Sequence, residues 1–183
     1  MAAARELFAT RGYQSVPADD IVRAAGVTRG ALYHHYSDKQ GLFRAVVEEL
    51  EKEITAETEA ALRAAPDPVT GMLSALGAFL DICLREEVRQ ISMTDAPAVL
   101  GWATYREIEA EHGLGLLVTL VEEAIGSGVL KPQPVRTLAQ LILSAVTEAA
   151  RMIAEADDPA TTRGEVEQVL GTWFATLLGN TTG

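Results

Sequence analysis

Apolar residues return at intervals of three and four along nearly the whole chain, and no run alternates apolar with polar positions as a half-buried strand would. The spacing predicts an all-α fold of about nine helices. Ala4, Leu7, Phe8 and Arg11 align over residues 2–11, with Gly12 as the stop. A second helix over 20–25 shows an apolar face of Ile21, Val22 and Ala25, with Pro17 as a suitable first helical residue and Asp19 and Asp20 offsetting the helix dipole. Gly26 then stands where a helix ends in a left-handed residue, and Val27 is expected to fill the gap to the next helix. Thr28 is placed to cap that third helix, 29–36, whose core face is Leu32 and Tyr36. Ser37-Asp-Lys-Gln40 reads as a capping box opening a long helix over 38–65. Its stripe of Leu42, Phe43, Val46, Val47, Leu50 and Ile54 fades into a Glu- and Ala-rich second half, as suits a helix leaving one domain for another. Pro66-Asp67-Pro68 ends it.

Helical spacing continues over 69–85 and, briefly, 86–93, which is expected to end at Thr94-Asp95-Ala96-Pro97. A stretch over 99–127 is interrupted at His112-Gly113-Leu114-Gly115. Two strongly apolar helices close the chain: 134–156, through Leu138, Leu141, Ile142, Ala145, Ala149, Met152 and Ile153, and 161–178, through Val166, Val169, Leu170, Trp173, Phe174 and Leu177. Such a terminal hairpin either buries itself or forms half of an intermolecular four-helix bundle.

Composition narrows the class. With 183 residues, 48% of them apolar, the chain can bury a real core. The single cysteine, Cys83, allows no internal disulfide and reads as a small buried apolar residue, so a reducing, cytoplasmic location is expected. No uncharged apolar run is long enough for a membrane span, and the opening residues lack the apolar run of a signal peptide. Asn180-Thr181-Thr182 matches a glycosylation triplet that carries meaning only in a secreted protein. The net charge of −11 is unevenly spread: residues 1–50 carry six Lys/Arg against six acids, and residues 51–183 nine against twenty. A neutral head on an acidic body binds DNA when its bases face one way, at the cost of weak non-specific affinity.

The head has such a face. Arg29, Tyr33 and His34, all donors and all long or planar, lie opposite Leu32 and Tyr36 on the third helix. A helix–turn–helix with a donor-rich second helix is the shape that enters a DNA major groove. Phe8, Gly12-Tyr13, Asp20-Ile21, the run from Ala25 to Tyr36, Lys39 and Leu42-Phe43 together resemble the DNA-binding domain of the TetR/AcrR family of transcriptional regulators. The resemblance covers about the first fifty residues; the rest resembles the family only as a helical domain. It implies a helix–turn–helix domain over 1–45 and a helical effector-binding and dimerisation domain over 46–183. It further implies a homodimer on a palindromic double-stranded DNA operator, released when a small, mainly apolar molecule enters the helical domain. Most relatives repress. Two departures stand out: the first helix begins abruptly where the family's is longer and follows a basic arm, and Val16-Pro17 replaces a hydroxyl that holds a phosphate, a role left to Ser15.

On this basis the DNA-contacting set is Thr28, Arg29, Gly30, Tyr33, His34 and Lys39. Arg29 suits guanine O6 and N7 or a phosphate. Tyr33 and Lys39 match family positions that hold phosphates. His34 is favoured over His35, which points about 100° away, and Gly30 either admits the backbone closely or is a tolerated helix glycine. The expected effector set is Phe79, Cys83, Trp102, Tyr105, Glu148 and Met152, drawn with Met72, Leu76 and Arg151 from large adaptable side chains and neighbouring polar anchors. The resemblance favours the intermolecular bundle, with Leu141, Ala145, Ala149, Val169, Trp173 and Leu177 at the dimer interface. No cofactor is expected: His34, His35, His112 and Cys83 form no metal-ligand spacing, Gly113-Leu-Gly115 lacks the third glycine of a nucleotide loop, and no nucleophile elbow exists, so an enzyme is not expected. The rival reading is a helical ligand-binding or scaffold dimer that has lost DNA binding.

Overall fold

A computed structural model describes residues 1–179, and within them the chain is helical with no strand. The order is α1 (Ala2–Arg11), α2 (Ala18–Ala25), α3 (Arg29–His35), α4 (Lys39–Arg63), α5 (Pro68–Cys83), α6 (Glu86–Val88), a π-helical segment (Arg89–Asp95), α7 (Ala96–Leu100), α8 (Trp102–Gly126), α9 (Val135–Glu155) and α10 (Pro159–Gly179). With α6, the π segment and α7 taken as one continuous run, the described residues hold nine helical elements. The Asn180–Thr182 triplet lies outside them. Two compact units result: Met1–Lys52 with Arg85–Ile108, and Glu53–Leu84 with the chain from Glu109 onward. The expected division at 45/46 falls inside α4, and the segment 85–108 joins the N-terminal unit.

The N-terminal unit is built on aromatic packing. Phe8 meets Phe43 edge-on at 5.1 Å between ring centroids, and Tyr13 lies 4.8 Å from Phe43. Phe8, Val16, Ile21, Leu42, Phe43, Val46 and Val47 are fully buried around them, each aliphatic or aromatic side chain worth about 2 kcal/mol of burial. Arg5 grips Glu87 through two bonds, Nε to Oε1 at 2.6 Å and Nη2 to Oε2 at 3.0 Å, which ties α1 to α6. Ser92 of the π segment donates to the buried carboxylate of Glu51.

Several local expectations change. Pro17 is the N-cap of α2 rather than its first helical residue. Val27 is 45% exposed and fills no gap. The capping box does not close: Asp38 Oδ1 accepts from Gly41 N–H at 2.7 Å, and the Gln40 amide instead donates to the Val99 carbonyl at 2.6 Å. Thr94–Pro97 is no stop, because Pro97 falls in the first turn of α7, where its missing N–H costs nothing, and the π segment absorbs the register change before it. α8 runs unbroken through Gly113 and Gly115, both held in an apolar helix with Leu114 buried.

In the second unit α5, α9 and α10 pack together around Leu76, Leu80, Ile142, Ile153, Leu170 and Phe174. Asp67 caps α5, its Oδ1 accepting from Val69 N–H and Thr70 N–H at 3.0 Å each. Gly71 brings α5 against α4 so closely that a Cβ there would stand 2.9 Å from the Leu62 carbonyl oxygen. Arg163 of α10 donates to Asp81 of α5 at 2.8 Å.

Candidate nucleic-acid interface and ligand cleft

The head takes its shape from one glycine and one threonine. Gly26 adopts φ 66°, ψ 26°, and the N–H of Val27 reaches back to the Val22 carbonyl at 3.1 Å, closing α2. Thr28 Oγ1 accepts from Ala31 N–H at 3.1 Å, opening α3. Leu32 is buried inward, so Arg29, Gly30 and His34 are exposed and Tyr33 is half-buried on the outer side. The Arg29 guanidinium lies 5.6 Å from the Tyr33 ring centroid and donates to Asp19 at 3.2 Å. This pair is widely exposed, so solvent screening leaves it weak and easily exchanged for a phosphate. A Cβ at Gly30 would meet only Thr28 Oγ1, at 3.9 Å, so the helix surface is open there. His34 and His35 are both exposed with rings 5.4 Å apart. Beside α3, Asp20 takes Arg11 at 2.9 Å and Arg23 at 3.3 Å.

Lys39 is placed differently from the other five. Its Nζ donates to the Tyr13 carbonyl at 2.7 Å and stands 3.9 Å from the Tyr13 ring centroid. Burial holds its ammonium below the ordinary lysine range, with Asp95 opposing. The lysine is engaged inside the head. Its partner Tyr13 lies 26 residues before it in the chain, too far for helix spacing to pair them. Ser15 is exposed, and its carbonyl accepts from Arg11 at 2.9 Å.

The second unit contains a cleft of about 560 Å³ between the C-terminal half of α4, the start of α5 and the middle of α8. Leu62, Met72, Leu116 and Leu120 supply apolar wall; Glu59, Arg63, Asp67, His112 and Glu123 supply the ionisable groups. Arg63 donates to Glu59 at 3.0 Å, and that bond first, then the charges of Glu59 and Glu123, hold its guanidinium in the charged form. Nε2 of His112 is shut off from solvent and has no partner among the described residues. Gly115 lines the cleft, and a Cβ there would meet nothing within 4 Å. Sequence reasoning read His112 to Gly115 as a break, although His112, Leu116, Thr119 and Glu123 share the spacing of one helix stripe.

None of the six expected effector residues lines this cleft. Phe79 is half-buried and Cys83 buried on α5. Trp102, 53% exposed, and Tyr105, buried with its hydroxyl on the Met93 sulfur at 3.7 Å, belong to the other unit. Glu148 is exposed and bound to Arg151, which holds its carboxyl below the usual range. Met152 is 48% exposed and shares an outward stripe of α9 with Leu141, at 58%, and Ala145. α10 exposes Val169 at 67% and Trp173 at 37%. Ala149 departs from the expected interface: it is packed inside its own chain, because it sits on the Ile142–Ile153 side of α9. Leu177 is half-buried.

Residues 1–46 match the family model for bacterial regulatory proteins of the tetR family, and residues 69–177 match that of the tetracyclin repressor-like C-terminal domain. A TetR-family transcriptional regulator from Pectobacterium atrosepticum is 35% identical and superposes with a TM-score of 0.88 over 97% of this chain and 91% of that one. The Transposon Tn10 TetC protein of Escherichia coli is 29% identical over 70% of this chain and 64% of its own length. The chain thus spans less than two thirds of the length of TetC, and 42% of the length of the HTH-type transcriptional regulator AcrR of Shigella flexneri, to which it is 36% identical over 49% of this chain. The transcriptional regulator FadR from Bacillus subtilis, solved in complex with stearoyl-CoA, shares the fold at 19% identity, with a TM-score of 0.71 over 93% of this chain and 95% of that one.

Proposed function

The chain belongs to the TetR family of bacterial regulatory proteins, and from that premise we propose that it is a ligand-responsive transcriptional regulator, a repressor in its resting state, acting in the cytoplasm rather than an enzyme. The observation that carries the proposal is α3: capped by Thr28, anchored by buried Leu32, and presenting Arg29, Tyr33 and His34 outward. Such a helix offers donors to base edges and phosphates together. Thr28, Arg29, Gly30, Tyr33 and His34 make the contacts. Lys39 acts by holding the head together as well as by its charge.

A single head reads only half a site. The apolar stripes of α9 and α10, exposed Leu141 and Met152 with half-buried Ala145 between them, and exposed Val169 and Trp173, join two chains across a two-fold axis. The two heads then meet a palindrome with half-sites about 34–36 Å apart. α9 is apolar and long enough to pass for a membrane span on composition alone, but this stripe explains its apolar outer face. A ligand in the second unit favours a state in which α4 has moved and the heads no longer match that spacing, and a differential affinity of a few kcal/mol suffices.

Fluorescence anisotropy with the DNA upstream of the protein's own gene tests this, titrated at several salt concentrations beside a scrambled duplex. Tight, salt-sensitive binding to the upstream DNA alone supports it. The rival, a ligand-binding or scaffold dimer without DNA binding, is favoured by one observation: the head's own carboxylates, Asp19 and Asp20, already take Arg29, Arg11 and Arg23. A genome-wide selection that enriches no sequence would establish that rival.

A further inference from the structure

Every lysine and arginine of residues 1–50 already has a partner. Arg11 and Arg23 are bonded to Asp20, Arg29 to Asp19, Arg5 to Glu87 and Arg44 to Glu48, and Lys39 Nζ is turned onto the Tyr13 carbonyl. These six bases stand against six acids, so exchanging Asp19 for a phosphate frees Arg29 but leaves an unpaired carboxylate beside the same DNA. Affinity for a polyanion nevertheless needs positive charge to displace its counterions. His34 and His35 are the groups of the head that can add it. Both are exposed, with rings 5.4 Å apart, and neither ring has a hydrogen-bonded partner among the described residues. The charged and titratable groups around them are Arg29 and Tyr33 on α3 itself, Asp19, Asp20 and Arg23 on α2, which packs against α3, Asp38 in the turn that follows, and Lys39 and Arg44 in the first turns of α4. Asp38 Oδ1 accepts from Gly41 N–H at 2.7 Å, so each of these carboxylates is engaged elsewhere than on a histidine.

We propose that His34 and His35, as imidazolium, supply the head's net positive charge, so that DNA binding takes up protons and strengthens as the pH falls. The proposal rests on reading the chain as a DNA-binding regulator, adds His35 to the contacting set and makes the affinity of that site respond to pH. Imidazole changes its charge between about pH 5 and 8. Phosphate oxygens accept charge-assisted hydrogen bonds from an imidazolium, so the complex holds protons that the free protein releases. By linkage, affinity is greatest below that range and is lost as the pH rises through it. The two rings point about 100° apart around α3, yet both can meet DNA, because phosphates flank each side of a major groove about 12 Å wide. Both positions lie at the surface, so charging them there requires no burial of the ion.

Anisotropy titrations of the full chain at constant ionic strength test this, with a labelled duplex of the DNA upstream of its gene and a scrambled duplex at low salt. Each proton taken up on binding changes the affinity by up to about tenfold per pH unit. The wild type is expected to bind the upstream duplex at least about tenfold more tightly at about pH 6 than at about pH 8. The scrambled duplex should follow the same trend, because phosphates carry it. His34→Gln and His35→Gln, which keep a donor and lose the charge, should each retain part of the response, and the double glutamine variant none. A His34→Arg, His35→Arg double variant, charged throughout, should bind at about pH 8 as tightly as the wild type at about pH 6. Melting temperatures of all the variants should match the wild type at each pH, since both positions are exposed. Equal wild-type affinity at the two pH values, or a response that survives in the double glutamine variant, overturns the proposal. Failure to bind either duplex at any pH removes the regulator reading itself, and the proposal with it.

Discussion

Asp95 Oδ2 accepts the backbone N–H of Tyr13 at 2.7 Å, joining residues 82 positions apart. The same oxygen also accepts from the Gln90 amide at 3.1 Å. On the other side of Tyr13 its carbonyl takes Lys39 Nζ at 2.7 Å. One residue just past α1 is thus held by the π segment at one polar group and by α4 at the other. The reading head is therefore more than its first three helices, since a segment from the middle of the chain completes it.

Asp95→Ala leaves the Tyr13 N–H without its acceptor and should cost about 1–3 kcal/mol. Asp95→Asn keeps a carbonyl oxygen in place and should lose much less. Hydrogen exchange read at the Tyr13 amide checks this directly: its protection should fall in the alanine variant and persist in the asparagine one. Equal exchange in all three proteins would show that the bond holds nothing.

This clamp marks the limit of what the sequence made legible. Gly26, Thr28 and Leu32 act within a few residues of themselves, so the helix–turn–helix and its caps could be read locally, and α3 lies where its spacing placed it. Gln40 could not be read that way, because its partner is the carbonyl of Val99, 59 residues on. The cleft was missed for a related reason. Its wall comes from α4, α5 and α8, and a glycine that leaves room for a ligand looks, in a sequence, like one that breaks a helix. Met152 was assigned to a pocket on size and flexibility, although periodicity alone cannot tell an inward methionine from an outward one.

Arg29 and Lys39 should respond differently to removal. Arg29 is exposed, and its contacts, with exposed Asp19 and the Tyr33 ring, lie at the surface, so Arg29→Ala should leave thermal stability nearly unchanged, weaken operator binding and flatten the salt dependence by about one unit of slope. Lys39→Ala removes a part-buried donor and its ring contact and should lower stability by about 1–2 kcal/mol together with affinity. Thermal melts beside anisotropy titrations separate the two. Identical stability losses would refute the division of roles.

Val169 is 67% exposed, so a glutamate there is harmless to an isolated chain and costly in a seam between two. Val169→Glu should turn a dimer into a monomer in size-exclusion chromatography with light scattering, and should make the melting temperature independent of protein concentration. A wild-type protein that elutes as a monomer would remove the interface altogether.

The cap of α5 sets an acid limit. The Thr70 hydroxyl, then the backbone N–H groups of Thr70 and Val69, hold the Asp67 carboxyl below its ordinary value of 3.8. A depressed carboxylate pKa means that the folded state binds fewer protons, so the stabilisation is complete above the ordinary value and drains away as the pH falls through the folded one. Asp158, just before α10 and bonded to Thr161, has the same sign. The difference in melting temperature between wild type and an Asp67→Asn, Asp158→Asn double variant should therefore stay flat from neutral pH to about 5 and shrink only below about 4. A difference that changes near neutrality would point to another group.

Two helix glycines should answer oppositely to alanine. Gly71 is buried, and a Cβ there would stand 2.9 Å from the Leu62 backbone oxygen and 3.1 Å from its Cδ1. Backbone cannot yield as a side-chain end can, so α5 must lift from α4, at a cost of about 1–3 kcal/mol. Gly115 also lies inside a helix, but its Cβ would enter open space. There the alanine brings only its better helix propensity, worth up to about 1 kcal/mol in favour of folding. Thermal or urea melts of Gly71→Ala and Gly115→Ala, measured side by side, should move in opposite directions. Two destabilised variants would mean that the cleft is filled by the chain's own atoms, and two unaffected ones that α4 and α5 do not meet as closely as Gly71 and Leu62 require.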